Sequence, residues 1–454
     1  MNIEELLQKQ EGKTLEFKRD LSSPDGVLRT VVAFANTAGG TLLIGIEDKT
    51  RRLRSLENGL DQEERLANLI SDSIRPRLVP DMELISHRKA QVLAVHVYPS
   101  SLRPHHLHRE GEDSGTYVRV GSTNRRADRE GREEMQRLSR GESFDEKALT
   151  EFKSDALDLN VLSDLFRNVK SLKPKDMESL RLLVTHQGKK VPSVAGLLIC
   201  GKERLERFPD TWFQVGRFRG GNKSDLVDKR EIRENLVTSV ESVMEFIRKH
   251  LWQGQTIEGL RRRDTLTVPP LALREALINS VVHADYSQSG APFRVSIFED
   301  RLEIENPGLL PTGMTVGDLD QGVSKLRNRI IARVFKEIGL VEQWGSGIQR
   351  MQSECEGIGL PRPRFEEIGM RFRVTFGLKP VQSPVVDDVA KRILNALQNG
   401  KGLSTQALAV VIGISSRATR LRLIKLVHQG LVREVGSNPQ DPTRKYFIAR
   451  RPEQ

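Results

Sequence analysis

Apolar residues in this chain come in short packets, and that spacing constrains the fold more than any other feature. Val194–Cys200, among the longest, is seven residues, against the roughly 20 that a membrane-spanning helix needs. Some packets alternate with period two and others repeat at helical spacing, which calls for several mixed α/β cores. The 454 residues correspond to about three or four domains. Only Cys200 and Cys355 are present, so neither a disulfide framework nor a four-cysteine metal site is available. Acids at Glu4 and Glu5, with no apolar h-region behind them, argue against a secretory signal. The expectation is a cytoplasmic multidomain protein with no membrane partner.

Charge is unevenly spread. The formal net charge is +11, yet residues 1–130 hold 20 basic and 20 acidic side chains. Residues 385–454 hold 12 basic and 5 acidic ones, the electrostatic footprint of a nucleic-acid-binding module at one end. Composition and periodicity divide the chain into 1–130, a connector and α/β linker region at 131–260, a further α/β unit at 261–379, and a tail at 385–454. Strand-like runs at Thr41–Ile46, Val92–Tyr98 and Thr116–Val120 accompany a helical stretch at Glu63–Ile74 in the first of these.

The tail reads as three helices and a hairpin. Val389–Gln398 has helical apolar spacing; Ser404 caps a second helix, Thr405–Ile412, and Gly413 supplies the turn. A third helix spans about Ser416–Gln429, with Leu421, Ile424 and Val427 as its expected buried stripe. Strands at Leu431–Val435 and Lys445–Ala449 flank a Gly436–Thr443 tip. The arrangement resembles a winged helix-turn-helix. Ser415, Ser416, Arg417, Arg420, Arg422 and Lys425 would face DNA, since Arg suits guanine O6/N7, and Arg444 and Lys445 on the wing would meet phosphates. A solvated basic face or a dimerisation module is the alternative.

Gly216–Ser224 imitates a P-loop, but Asn222 separates the second Gly from Lys223, which spoils the loop geometry. A P-loop helicase is excluded. More informative is the helix that opens at Pro270, where Glu275, Asn279 and His283 fall at i, i+4, i+8 and Leu273, Leu277 and Val281 mark a separate buried stripe. An acid and an amide one turn apart can hold an Mg²⁺–phosphate group; the same spacing also suits an ordinary amphipathic helix. Downstream come strands at Phe293–Glu299 and Arg301–Glu305, then Asn306-Pro-Gly308 and Trp344-Gly-Ser-Gly347. Glycines there leave backbone N–H groups free to face an anion. This order resembles the GHKL ATPase superfamily, and is most similar to its degenerate helicase C-terminal branch, with Ser324–Asn328 and Ile331-Ala-Arg-Val typical of it.

That resemblance implies ATP with Mg²⁺. Asn279 would be the metal ligand, Glu275 the general base, and Gly308, Gly345 and Gly347 the glycines shaping pocket and lid. His283, Asp285, Asn306, Lys325, Asn328 and Ser346 would also surround the nucleotide. The family's Asp for the adenine amino group is replaced by Asn306, which accepts a hydrogen bond without a charge.

At the start, Glu11-Gly-Lys-Thr-Leu-Glu16-Phe-Lys18, then Val31–Asp48 with its Gly39-Gly40 turn, then Tyr117–Arg125, resemble the Schlafen AlbA-type domain. The resemblance implies nucleic-acid binding. In the nuclease members two glutamates and an aspartate bind the catalytic metal, and Glu11, Glu16 and Asp48 fall at matching positions. A structural role for Glu16 and Lys18 at a strand end is the alternative. Arg51, Arg52, Arg54, Arg119, Arg125 and Arg126 are expected to cluster, and His105, His106 and His108 to lie on a surface loop or contact nucleic acid rather than bind a metal.

The fold class expected is therefore an α/β (α+β) multidomain protein: a Schlafen AlbA-like domain, a GHKL-like ATP-binding α/β sandwich and a C-terminal winged helix. The combination resembles bacterial transcriptional regulators. A nucleotide-responsive, homodimeric DNA-binding regulator is the first expectation, with closure of a lid at Leu309–Val341 as its switch and RNA left open as a partner of the N-terminal domain. The rival is a Schlafen-type nuclease acting on tRNA or DNA in phage defence, gated by ATP. A catalytically dead GHKL-like scaffold is the third.

Overall fold

The structure is a computed structural model describing residues 3–47, 50–87, 90–258, 261–340, 346–380, 387–398, 402–428, 431–435 and 444–448; side chains of Glu4, residues 252–266 and His428 are outside that description. Asp48, Gly345 and the 436–443 tip therefore lie outside the described residues. The chain forms two units, Met1–Lys379 and Pro380–Gln454. No described helix is long and apolar enough to cross a membrane.

After a short helix, Ile3–Gln8, the first unit runs through β1 (Leu15–Lys18), α1 (Pro24–Asn36), β2 (Gly40–Ile44), α2 (Gly59–Ser73), β3 (Asp81–His87) and β4 (Ala90–Val97). The strands pair in the order β1-β2-β4-β3, with β1 and β2 parallel and the rest antiparallel. Strand alternation places Leu42 and Ile44 in the core under α1 and sends Leu43 to the opposite face with Phe17. Burial on both faces explains why this segment reads as a continuous apolar run. A hairpin, β5 (Tyr117–Val120) and β6 (Thr123–Arg126), follows, then α3 (Arg129–Ser139).

From here one core runs without a break from Leu149 to Phe376. Val194–Cys200 is a helix, α4, buried at every position. Next come β7 (Phe213–Phe218), β8 (Leu226–Ile232), α5 (Leu236–Leu251), α6 (Pro270–Val282), β9 (Phe293–Ile297), β10 (Arg301–Pro307), α7 (Val316–Asp320), α8 (Arg329–Glu337), α9 (Gly347–Gly357), β11 (Arg364–Ile368) and β12 (Arg371–Gly377). Their strands form one six-stranded sheet ordered β8-β7-β9-β10-β12-β11. The expected boundary at 260/261 is thus not a break between cores. β7 lies parallel to β9, with Phe213 stacked on Phe293 at 4.7 Å, so the linker region supplies two strands to the following sheet. The P-loop imitation Gly216–Ser224 occupies β7 and its turn into β8; no helix follows it.

The second unit contains α10 (Asp388–Leu397), α11 (Thr405–Ile412), α12 (Ser416–His428) and a hairpin of β13 (Val432–Val435) and β14 (Lys445–Ile448). Asp387, Ser404 and Ser415 cap the three helices by accepting the N–H groups of Ala390, Ala407 and Ala418. The buried stripe of α12 differs from expectation. Thr419, Leu423 and Leu426 face the core, whereas Leu421 and Ile424 are 64% and 55% exposed. Both rows have helical spacing, and packing against Leu408 and Ile412 selects the row of Leu423 and Leu426.

Candidate functional site

α6 is buried on nearly all sides: Ala272, Leu273, Ala276, Leu277, Ile278, Val281 and Val282 all pack into the core. It is therefore not the ordinary amphipathic helix of the alternative reading. Polar side chains on such a helix must find a cleft or a partner. Glu275, Asn279 and His283 line a cleft of about 610 Å³, within the usual range for small-molecule sites. Asn279 donates from Nδ2 to Glu275 Oε1 at 3.1 Å. Burial and the nearby Arg327 guanidinium push the His283 imidazole down to about 4, so it is neutral near pH 7.

The other walls combine apolar floor and cationic rim. Phe372 and Val374 of β12, with Leu309, Leu310 and Met314, supply apolar surface. Asn306 reaches the cleft from β10. Lys325, Arg329, Arg333 and Lys336 bring four cations to it. The last three lie at i, i+4 and i+7 on α8, a spacing visible in the sequence but not read from it. Burial lowers the Lys325 ammonium, which donates to Thr312 O at 2.8 Å. Asp145 from the connector fixes α8 by accepting the Ile330 and Ile331 N–H groups at 2.8 and 2.9 Å.

Gly347, at the start of α9, packs against α6 so closely that a β-carbon would stand 1.9 Å from Glu275 Oε1. The carboxylate thus rests beside the positive end of that helix. Of the remaining expected ligands, Ser346 occupies the N-cap position of α9. Three others lie away from the cleft and shape its surroundings. Asn328 is fully buried and ties α8 to the end of α6 through Val282 O and Ala284 O. Asp285 accepts from the Ser287 N–H and hydroxyl. Gly308, at φ +99°, turns against Arg327, leaving no room for a side chain.

The loop after Gly308 belongs to two cavities. Leu309 and Leu310 also line a second one, about 280 Å³, at the seam with the N-terminal sheet, together with Lys13, Thr37 and Arg119. Across that seam Gly313 N–H donates to Thr37 O at 3.0 Å. Leu310 N–H donates to Glu367 Oε1 at 2.8 Å, and Lys13 Nζ pairs with the same carboxylate at 2.7 Å. Arg327 holds Leu309 O at 2.8 Å and Glu134 at 3.1 Å.

In the N-terminal domain the expected catalytic carboxylates are engaged otherwise. Glu16 is buried between Lys18 and the fully buried Arg119, which also grips Asn124 Oδ1 at 2.8 Å and Gly12 O at 3.0 Å. Glu11 accepts the Phe17 N–H at 2.7 Å. Among the described residues no group of three or more His, Cys, Asp or Glu side chains is placed to hold a metal; Asp48 is outside them. The expected arginine cluster is also incomplete. Arg119 is interior, Arg51 lies over the Phe17 ring at 4.3 Å, and Arg54 pairs with Glu47 at 2.8 Å. His105 is not on a surface loop but buried, its Nδ1 2.8 Å from Pro76 O.

In the second unit Arg417, Arg420 and Lys425 are exposed on α12, as are Ser415 and Ser416 at its start. Arg422 pairs with Asp387 at 2.9 Å, and Arg444 with Glu434. Lys445 is exposed on β14.

Residues 11–128 match the family model described as Schlafen, AlbA_2, and residues 290–376 the one described as "Putative ATP-dependent DNA helicase recG C-terminal". The second match begins after α6, so Glu275 and Asn279 precede it. Among solved structures, the DIP2311 protein from Corynebacterium diphtheriae is 19% identical over 98% of each chain, with a TM-score of 0.48. The N-terminal domain of a RecG-related protein from Nitrosomonas europaea is 28% identical over 28% of this chain and 90% of its own, with a TM-score of 0.24. No curated protein matches the chain.

Proposed function

We propose that this chain is a nucleotide-responsive nucleic-acid-binding protein of the cytoplasm, a transcriptional regulator whose tail binds DNA as a homodimeric winged helix and whose cleft takes ATP with Mg²⁺. The observation that carries this reading is the cleft itself. It offers an apolar floor for a base, four cations for phosphates, and a carboxamide beside a carboxylate on a buried helix. Asn279 is the side chain suited to hold the divalent cation, and Glu275 to take a proton from water. The triphosphate supplies the anionic charge that the rim of α8 is built to meet.

Response requires that the ligand distinguish two states of the protein. The 308–314 loop supports such a response, since it walls the cleft on one side and, through Gly313 N–H to Thr37 O, hydrogen-bonds the AlbA-like domain on the other. The nuclease alternative is the weaker reading, because Glu16 is already neutralised by two cations.

Isothermal titration of the full chain with AMPPNP and Mg²⁺ tests the proposal. Binding by the wild type, weakened at least tenfold in Asn279→Ala, is expected. Absence of heat from the wild type removes the nucleotide from the account. Manganese-dependent cutting of tRNA or DNA that Glu16→Ala abolishes would favour the enzyme instead.

A further inference from the structure

Helix α12 is amphipathic in an unusual sense. Its inner side is Thr419, Leu423 and Leu426, and Arg422 on the flank is tied to Asp387. At 100° per residue, Leu421 and Ile424 stand at the middle of the opposite side. They are 64% and 55% exposed. Arg417 lies one turn before them, and Arg420 and Lys425 lie beside them, all three exposed. The outer face is thus a small aliphatic patch inside a ring of cations.

A second copy of the chain is a poor occupant for this face. In a two-fold contact the same patch meets itself, and the cations Arg417, Arg420 and Lys425 would be set against the same set of cations on the other copy. Duplex DNA complements both features at once. Its phosphates meet the cations, and its major groove offers the thymine methyl, the one apolar group on a base edge there, next to guanine acceptors suited to Arg. The charge of residues 385–454, 12 basic against 5 acidic, favours the same partner.

We infer that Leu421 and Ile424 are specificity-determining residues that read thymine methyl groups in a DNA site, next to guanine taken by Arg417 or Arg420. This rests on the DNA-binding reading of the tail given above and adds the chemistry of the sequence it selects. The ligand class is B-form duplex containing neighbouring thymine and guanine.

The test uses the full-length protein and changes the DNA before it changes the protein. Duplexes bound from a random pool are sequenced, and affinity is measured for the enriched duplex and for the same duplex with deoxyuridine replacing each thymidine in turn. Loss of a methyl that touches Leu421 or Ile424 should weaken binding about three- to fivefold. In Leu421→Ala and Ile424→Ala, both at exposed positions, the thymidine duplex should weaken similarly and the deoxyuridine penalty should vanish. An enriched site indifferent to every thymine methyl overturns the inference while leaving DNA binding intact. A pool with no enrichment overturns both. Indifference to deoxyuridine together with a lower mass for Leu421→Ala in light scattering overturns it too, and assigns the face to a second copy.

Discussion

Gly347 illustrates how little freedom the cleft leaves. Any side chain there meets the Glu275 carboxylate, and overpacking of this kind costs about 1–3 kcal/mol. Gly347→Ala should lower the denaturant midpoint and abolish AMPPNP binding in titration, whereas Gly357→Ala at the exposed far end of the same helix, with open space around it, should leave binding intact. Arg119 makes a second residue-scale case. Removing one partner of a buried ion pair costs about 3–5 kcal/mol, so Arg119→Ala should destabilise the N-terminal domain by that order in urea unfolding. His283 sets a pH dependence. Its folded value of about 4 lies below the ordinary value near 6.5, so the unfolded chain binds the proton more tightly. Its contribution is complete above pH 6.5 and is lost as pH falls toward 4. Between pH 6.5 and pH 5 that amounts to about 2 kcal/mol, visible as a steeper fall in urea midpoint for the wild type than for His283→Gln.

At the scale of elements, α8 and the 308–314 loop do different work with the same cavity. α8 buries Ile330, Ile331, Val334 and Phe335 and turns Arg329, Arg333 and Lys336 outward. Arg329→Ala with Lys336→Ala should weaken AMPPNP more than tenfold while the fold, held by the opposite side of the helix, persists in circular dichroism. The loop carries the connection to the AlbA-like domain. Lys13→Ala removes the ion pair to Glu367 without touching the cleft. AMPPNP should then still bind but no longer alter the anisotropy of a labelled oligonucleotide. An unchanged nucleotide effect in that variant would place the connection elsewhere. These two roles were unequally legible in the sequence. The cations of α8 have a spacing open to inspection, but nothing local in Leu309 or Gly313 announces that Thr37 lies across from them.

For the whole molecule, the division after Lys379 separates the proposed cleft from the proposed DNA reader. A chain ending at Lys379 should keep AMPPNP binding and lose sequence-selective DNA binding. The salt dependence of DNA affinity should also be unequal across the β13–β14 hairpin. Lys445→Ala should flatten the slope by about 0.9, and Arg444→Ala by less, because Glu434 already holds that guanidinium. Parallel slopes for both variants and wild type in a salt titration would remove the hairpin from the proposed DNA contact.

What the sequence determined by itself was everything that depends on near neighbours. The alternating and helical periods, the cap at Ser404, the Glu275–Asn279 pair one turn apart and the excess of cations in the tail are local facts. Backbone geometry turns each of them into structure directly. Tertiary structure alone decided phase and partnership. It chose Leu423 over Leu421 for the core, because two rows of equal spacing differ only in what they pack against. It brought Arg119 to Glu16 across 103 residues of chain and joined residues 131–260 to the following sheet through the pairing of β7 with β9. Contacts of that range are set by topology, which periodicity and charge constrain but do not specify.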